Sequence, residues 1–345
     1  MSALLLLIFV ASLGLTAAWL GYSLWRQRLD APNARSSHSR PTPTSGGVGF
    51  CTVSLLGVAL LWVNAALSGR EALALLLGAA PALLGFVDDG HNLSIRLRLS
   101  LQMALLLALL LLLPALPSPQ FGAWRLPLPL LTPLLFIYGL WQINFYNFMD
   151  GIDGLAVSQG LFVSLSLAWF CALGGAPTLG IAALGLASAL AAFAVYNMPP
   201  ARLFMGDVGS NFLGYAFVAL GLLAVRAGAL SYWSCLILMG SFISDATLTL
   251  IARMRSGAVW YHGHRTHAYQ LLARHWGSHT KVMLLYLSVN VAWLLPLALL
   301  SKRYAQQGWW LALCALAPLL CASWLIRRRL LWQDQSAARP DADSP

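Results

Sequence analysis

Residues 147–154, NFMDGIDG, set an amide and two carboxylates (Asn147, Asp150, Asp153) three residues apart between two long apolar runs. On a helix that spacing makes one slowly drifting polar stripe, and the glycines let a ligand approach the backbone closely. A carboxylate at the edge of hydrocarbon is costly, so such acids read as functional by default; the plain alternative is a polar turn with glycine hinges. A calcium loop fits poorly, because its alternating ligands and distal Glu are missing. Three further stretches share this character. GFVDDGHNLSIRLRLSLQ brings adjacent Asp88 and Asp89 ahead of Arg96 and Arg98. Neighbouring carboxylates repel, so one of them seeks a cation or resists ionisation, which suits a metal ligand or a general base. FMGDVGS sets Asp207 beside glycine before an apolar run, where helix N–H groups favour anions: a helix cap, or a magnesium ligand facing a diphosphate. YHGHRTHAYQ carries His264, Arg265 and His267; no cysteine or close carboxylate completes a tetrahedral zinc set, so phosphate binding by imidazole and guanidinium fits better. Asp245 lies inside an apolar run near its end, where it reads as a buried partner for an arginine.

The elements that position these residues follow from composition. Of 345 residues, 59% are hydrophobic and only 9% charged, far from the balance of a soluble domain. Apolar runs of about 20 residues recur near 2–24, 46–67, 71–88, 97–116, 127–146, 155–175, 177–197, 209–225, 232–251, 281–301 and 308–326. The expectation is an all-α polytopic integral membrane protein of about ten or eleven transmembrane helices. It forms one membrane domain over 1–330, followed by a disordered tail over 331–345. No basic residue precedes the first run and Arg26 and Arg28 follow it, which predicts a first span with its N-terminus outside and not a signal peptide. Alternation then puts the connections near 25–45, 88–96, 147–154, 198–208, 252–280 and 327–345 on the cytoplasmic side. Every basic residue except Arg70, Arg125, Arg226, Lys302 and Arg303 falls there or at an adjoining helix mouth, as the positive-inside rule requires. Six of the eleven acids (Asp88, Asp89, Asp150, Asp153, Asp207 and Asp245) lie at helix ends on that face, which predicts one cytoplasmic cleft assembled from several loops. The net charge of +10 suits anionic headgroups or a phosphorylated ligand; without a basic-aromatic module it does not point to nucleic acid. The five cysteines fall in apolar runs without paired spacing, as small buried hydrophobes.

In order along the chain, PTPTSGG at 41–47, GFVDD at 85–89, SIRLR with Gln102, NFMDGIDGL at 147–155, FMGDVGS at 204–210, Asp245 and HRTH at 264–267 resemble the polyprenyl-phosphate N-acetylhexosamine-1-phosphate transferase family, which includes MraY and WecA. The histidine motif lacks a fuller histidine set, and HRTHAYQ is similar to the WbpL-type branch that initiates O-antigen synthesis. The resemblance implies transfer of a sugar-1-phosphate from a UDP-N-acetylhexosamine to undecaprenyl phosphate with release of UMP, in a bacterial inner membrane, at a site facing the cytoplasm. It implies Mg²⁺, with Mn²⁺ as a substitute, held by Asp207 and Asn147. Asp88 and Asp89 then stand near the metal as catalytic residues with Asp207, ordering the acceptor phosphate or taking its proton. Asp150, Asp153, His264, Arg265 and His267 bind the nucleotide and diphosphate, and Arg96 and Arg98 attract the lipid phosphate. Membrane lipids and a second copy in a homodimer complete the expected partners; nucleic acid is not among them. The rival reading is a proton- or cation-coupled transporter, which needs acids on both sides or at the midplane and inverted repeats. Here the acids are one-sided and no repeat is visible.

Overall fold

Apolar runs in hydrocarbon must satisfy their own backbone groups, and helices do so within one segment. The computed structural model describes residues 2–32, 40–91, 93–257 and 265–337, with side chains to 331, and among these the fold is almost wholly helical. In chain order the helices are α1 (Ser2–Trp25), α2 (Gly47–Val63), α3 (Gly69–Leu76), α4 (Ala79–His91), α5 (Ile95–Leu112), α6 (Leu128–Phe148), α7 (Leu155–Leu173), α8 (Pro177–Asn197), α9 (Gly206–Arg226), α10 (Tyr232–Leu238), α11 (Gly240–Arg255), α12 (Ala268–Trp276), α13 (His279–Val289), α14 (Leu295–Arg303) and α15 (Gly308–Ala337). Two short antiparallel ribbons, Leu29–Asp30 with Thr42–Pro43 and Gln120–Phe121 with Trp124–Arg125, complete the described secondary structure.

Every expected span is helical. Among the described residues, nine stretches are long and apolar enough to cross a membrane. One of them is α3 with α4, and another is α13 and α14 joined through a π-helical turn at Asn290–Leu294. The helices α10 and α11 form an apolar pair bent by 75°, the geometry of a broken span or of a re-entrant loop, and α2 is a shorter apolar helix. The multi-pass membrane architecture is therefore present; the apolar pattern of 232–251 gave no sign of the bend. At the break, Gln159 Nε2 donates to the Leu238 carbonyl at 3.1 Å, Asn290 donates to Gln159 Oε1, and Ser241 donates to Asn290 Oδ1 at 2.8 Å. Buried amides thus take up backbone and side-chain groups that a helix break leaves open in an apolar surround.

The most enclosed span is α9, whose apolar window is entirely buried, as befits a helix apolar on all sides; α4 and α6 pack along it. The helix α15 continues to Ala337, into the stretch expected as a tail, and residues 338–345 lie outside the described residues. Cys51 and Cys171 are buried and Cys235 half-buried, whereas Cys314 and Cys321 are exposed on α15, on a surface that a bilayer rather than protein would cover.

Candidate active site

The rare acids converge. The end of α4, the start of α5, the end of α6 with the turn at 149–154, the end of α8 and the starts of α9 and α13 enclose a cleft of about 640 Å³ at one end of the bundle. Asp30, Asp88, Asp89, Asp150, Asp153 and Asp207 all line it, with Arg98, Asn147 and His279. Close backbone approach builds its floor. Gly85 has no side chain because the Asp207 carbonyl occupies that space, and Gly206 opens α9 at φ +72°, with Asp89 where its Cβ would stand. Glycine tolerates both constraints.

The adjacent acids Asp88 and Asp89 do different work. Asp89 accepts from Ser45 Oγ at 2.6 Å and from the Asp207 N–H at 2.9 Å; it fastens the loop before α2 to the first turn of α9, where a helix favours negative charge. Asp88 is buried, accepts from the Leu93 N–H at 2.6 Å and pairs with Arg98 Nη1. Arg98 also stands 3.7 Å from Asp207 Oδ2. The other Asp207 oxygen accepts from Asn147 Nδ2 at 2.8 Å, and the same amide reaches Ser210 Oγ at 2.9 Å. Asp88, Asp207, Arg98 and Asn147 therefore form one connected cluster, and Asp89 joins it through backbone.

Beyond it, Asp150 sits half-buried on the turn after α6. Burial, then the charges of Asp207, Asp89 and Asp153, push its carboxyl well above the usual carboxylate range. The turn runs on to Asp153, which also lines the cleft. There Asp153 Oδ2 accepts from the Ala201 N–H at 3.0 Å and lies 3.3 Å from His279 Nδ1. Asn197 accepts from the Gly154 N–H at 3.3 Å and donates to the Leu203 carbonyl at 3.0 Å, joining the turn to the segment before α9.

Part of the expected site lies elsewhere. His264 falls outside the described residues. His267 is buried and does not line the cleft; its Nδ1 lies 3.5 Å from Asp245. The cause is Asp245, fully buried in α11, which accepts from the N–H groups of Ala268 (2.8 Å) and Tyr269 (3.0 Å) and from the Tyr286 hydroxyl (2.7 Å), drawing the first turn of α12 inward. Arg327 of α15 donates to Thr249 Oγ1 at 3.0 Å and to the Thr266 carbonyl. Asp245 is thus a clamp on the histidine segment and not simply an arginine's partner. Arg265 is half-buried and outside the cleft lining. Arg96 is exposed and also does not line the cleft, because residues two apart on a helix face different ways. The histidine segment reaches the cleft through Gln270, which lines it, and through the Tyr269 hydroxyl, which donates to the Phe148 carbonyl at 2.9 Å. Ser45, Asn197, Gln270 and His279 were not singled out from sequence. Ser45 stood inside the quoted PTPTSGG motif and Gln270 at the end of the quoted HRTHAYQ; Asn197 and His279 are ordinary polar residues at helix ends, without a distinguishing signal.

A bundle of membrane-length helices that gathers six carboxylates into one cleft defines a polytopic membrane protein with a concentrated polar site. Residues 72–225, which hold Asp88, Asp89, Asn147, Asp150, Asp153 and Asp207, match glycosyl transferase family 4. A phospho-N-acetylmuramoyl-pentapeptide-transferase of Acaryochloris marina is 31% identical over 72% of this chain and 69% of its own length. The same-named protein of Thermosynechococcus vestitus is 32% identical over 66% of this chain and 62% of its own. A probable undecaprenyl-phosphate N-acetylglucosaminyl 1-phosphate transferase of Bacillus subtilis is 29% identical over 66% of this chain and 64% of its own. The chain thus spans a little under two thirds of the length of the last two relatives. It belongs to glycosyl transferase family 4. These relatives are named as phospho-N-acetylmuramoyl-pentapeptide and N-acetylglucosaminyl 1-phosphate transferases, not as members of the WbpL-type branch that the histidine motif resembles.

Proposed function

We propose that this protein transfers an N-acetylhexosamine-1-phosphate from a UDP-sugar to undecaprenyl phosphate in the membrane, releasing UMP. The observation that carries the reading is the cleft itself: six carboxylates and one arginine, with Asn147 beside Asp207, at the end of a membrane bundle. So acidic a site cannot receive a diphosphate without a cation, and a divalent ion joining carboxylates to a diphosphate resolves both charges. The donors fit such an ion. They are hard oxygens, with Asp207 and Asn147 side by side. That is the pattern for magnesium or manganese held by one or two carboxylates, waters and substrate oxygens, and not for zinc. Bound there, the ion supplies neutralisation of the diphosphate and of the departing UMP.

The reaction joins an acceptor phosphate oxygen to the sugar-bearing phosphorus of the donor and breaks that phosphorus's bond to the bridging oxygen, which leaves with UMP. A phosphomonoester loses its second proton near about pH 6, so the acceptor is already nucleophilic at neutral pH. The engagement of Asp88 by Arg98 and the Leu93 N–H, and of Asp89 by Ser45 and the Asp207 N–H, favours positioning over proton abstraction for both. Arg98, held by Asp88 yet close to Asp207, is suited to the acceptor phosphate. Asp150 and Asp153 lie toward the nucleotide end. Positioning and charge neutralisation supply most of what phosphoryl transfer needs.

The test is UMP release by purified protein with undecaprenyl phosphate, Mg²⁺ or Mn²⁺ and a panel of UDP-N-acetylhexosamines. Release should require lipid and metal, and Asp207→Asn should lower it at least about a hundredfold. Preference for N-acetylfucosamine or N-acetylquinovosamine donors would support the O-antigen-initiating role in the bacterial inner membrane; preference for a muramoyl-pentapeptide donor would assign the chain to peptidoglycan. Absence of release with every donor, from folded protein, would reject the transferase and favour the transporter.

A further inference from the structure

We infer that His279 contacts the nucleoside of the donor through its Nε2, as a binding residue of this chain that lies outside every recognised motif. The inference rests on the transferase reading above. Among the described residues His279 is the one histidine lining the cleft, while His267 of the histidine motif is turned to Asp245. It is the first residue of α13, an 11-residue helix capped by Ser278, whose hydroxyl accepts from the Lys281 N–H at 3.3 Å. A site residue on a capped helix is held more accurately than one on a loop.

The ring is fixed from one side. Nδ1 stands 3.4 Å from the Asp153 N–H and 3.3 Å from Asp153 Oδ2, so Asp153 holds it whether Nδ1 accepts from the first or donates to the second. Nε2 makes no hydrogen bond to a described residue, on a ring whose side chain is 20% exposed and lines the cleft. An imidazole pinned at one nitrogen and open at the other is oriented for a ligand.

The surroundings select which part of the ligand. Arg98, the one basic side chain other than His279 lining the cleft among the described residues, lies in the Asp88 and Asp207 cluster. At the His279 end stand Asp153, which holds the ring, and Asn197, which accepts from the Gly154 N–H next to it. A carboxylate there opposes a phosphate but is suited to an imide N–H or a ribose hydroxyl. A neutral nucleoside with hydrogen-bonding edges fits this end; the diphosphate fits the other.

The experiment measures binding of UMP and of uridine to the detergent-solubilised full chain by titration calorimetry, for the wild type and three variants. His279→Ala should weaken both ligands about tenfold, the worth of roughly one good hydrogen bond. His279→Gln, whose amide reaches the place of Nε2, should retain most of the affinity. His279→Asn, which reaches only the place of Nδ1, should bind as weakly as the alanine variant, and melting temperatures identify any variant that has lost its fold. Wild-type affinity in the alanine variant would overturn the inference. So would full affinity in the asparagine variant, because His279 would then act only by holding Asp153. Wild-type protein that binds neither UMP nor uridine would reject the transferase reading itself, a result distinct from both.

Discussion

The charge of Asp150 is opposed by burial and by three neighbouring carboxylates, which hold its carboxyl above the usual range. Its native pKa is raised over the unfolded value of about 3.9, so the stability it contributes is complete below that unfolded value and is lost as pH rises through the native one. Asp150→Asn is therefore expected to raise the melting temperature of metal-free, nucleotide-free protein at pH 8, with the gain shrinking to nothing near pH 4; a pH-independent gain would contradict the electrostatic cause. The same substitution should lower transfer activity, the usual exchange when a strained site is relaxed. That these acids matter was legible in the sequence, because carboxylates are rare in so apolar a chain. Their individual jobs were not. Asp88 and Asp89 are chemically identical neighbours, yet one faces Arg98 and the other faces Ser45 and the Asp207 N–H, a difference set by helix phase and by partners far along the chain.

At the scale of elements, the clamp around Asp245 decides where the histidine segment goes. One buried carboxylate receives the first N–H groups of α12 and the Tyr286 hydroxyl of α13, and Arg327 of α15 holds the Thr266 carbonyl. Asp245→Ala leaves two buried N–H groups without acceptors, at about 1–3 kcal/mol for each. Loss of several degrees in melting temperature is expected, together with reduced transfer as Gln270 and Tyr269 lose their seat beside the turn at 149–154. Asp245→Asn, which keeps an acceptor oxygen, should recover part of the stability; an unchanged melt for the alanine variant would contradict the clamp. The spans themselves were readable from apolar length, since hydrocarbon thickness fixes how long a helix must be. The 75° break between α10 and α11 was not, because it depends on Gln159 and Asn290, two polar residues in other helices that meet it only in the folded bundle. For the same reason nothing in the sequence signalled that His267 would stand against Asp245 and off the cleft lining.

At the scale of the whole molecule, the cleft gathers the ends of helices that alternate in direction, so all of its acids share one face of the bundle. The basic residues flank those same helix ends, and the orientation proposed from the positive-inside rule turns that face to the cytoplasm. Alkaline phosphatase fused in the turn at Gly228 should then be active and a green fluorescent protein fused after Pro345 should fluoresce in the intact bacterium. The opposite pattern would turn the cleft outward, away from cytoplasmic nucleotide-sugars. The most direct test of the central claim follows the atom that is claimed to move. With donor carrying ³²P at the sugar-bearing phosphate and undecaprenyl phosphate as acceptor, the label should pass with the sugar into the organic-extractable lipid, leaving UMP unlabelled. Sugar arriving in the lipid without the label, or label remaining wholly in the aqueous phase while donor is consumed, would contradict sugar-phosphate transfer.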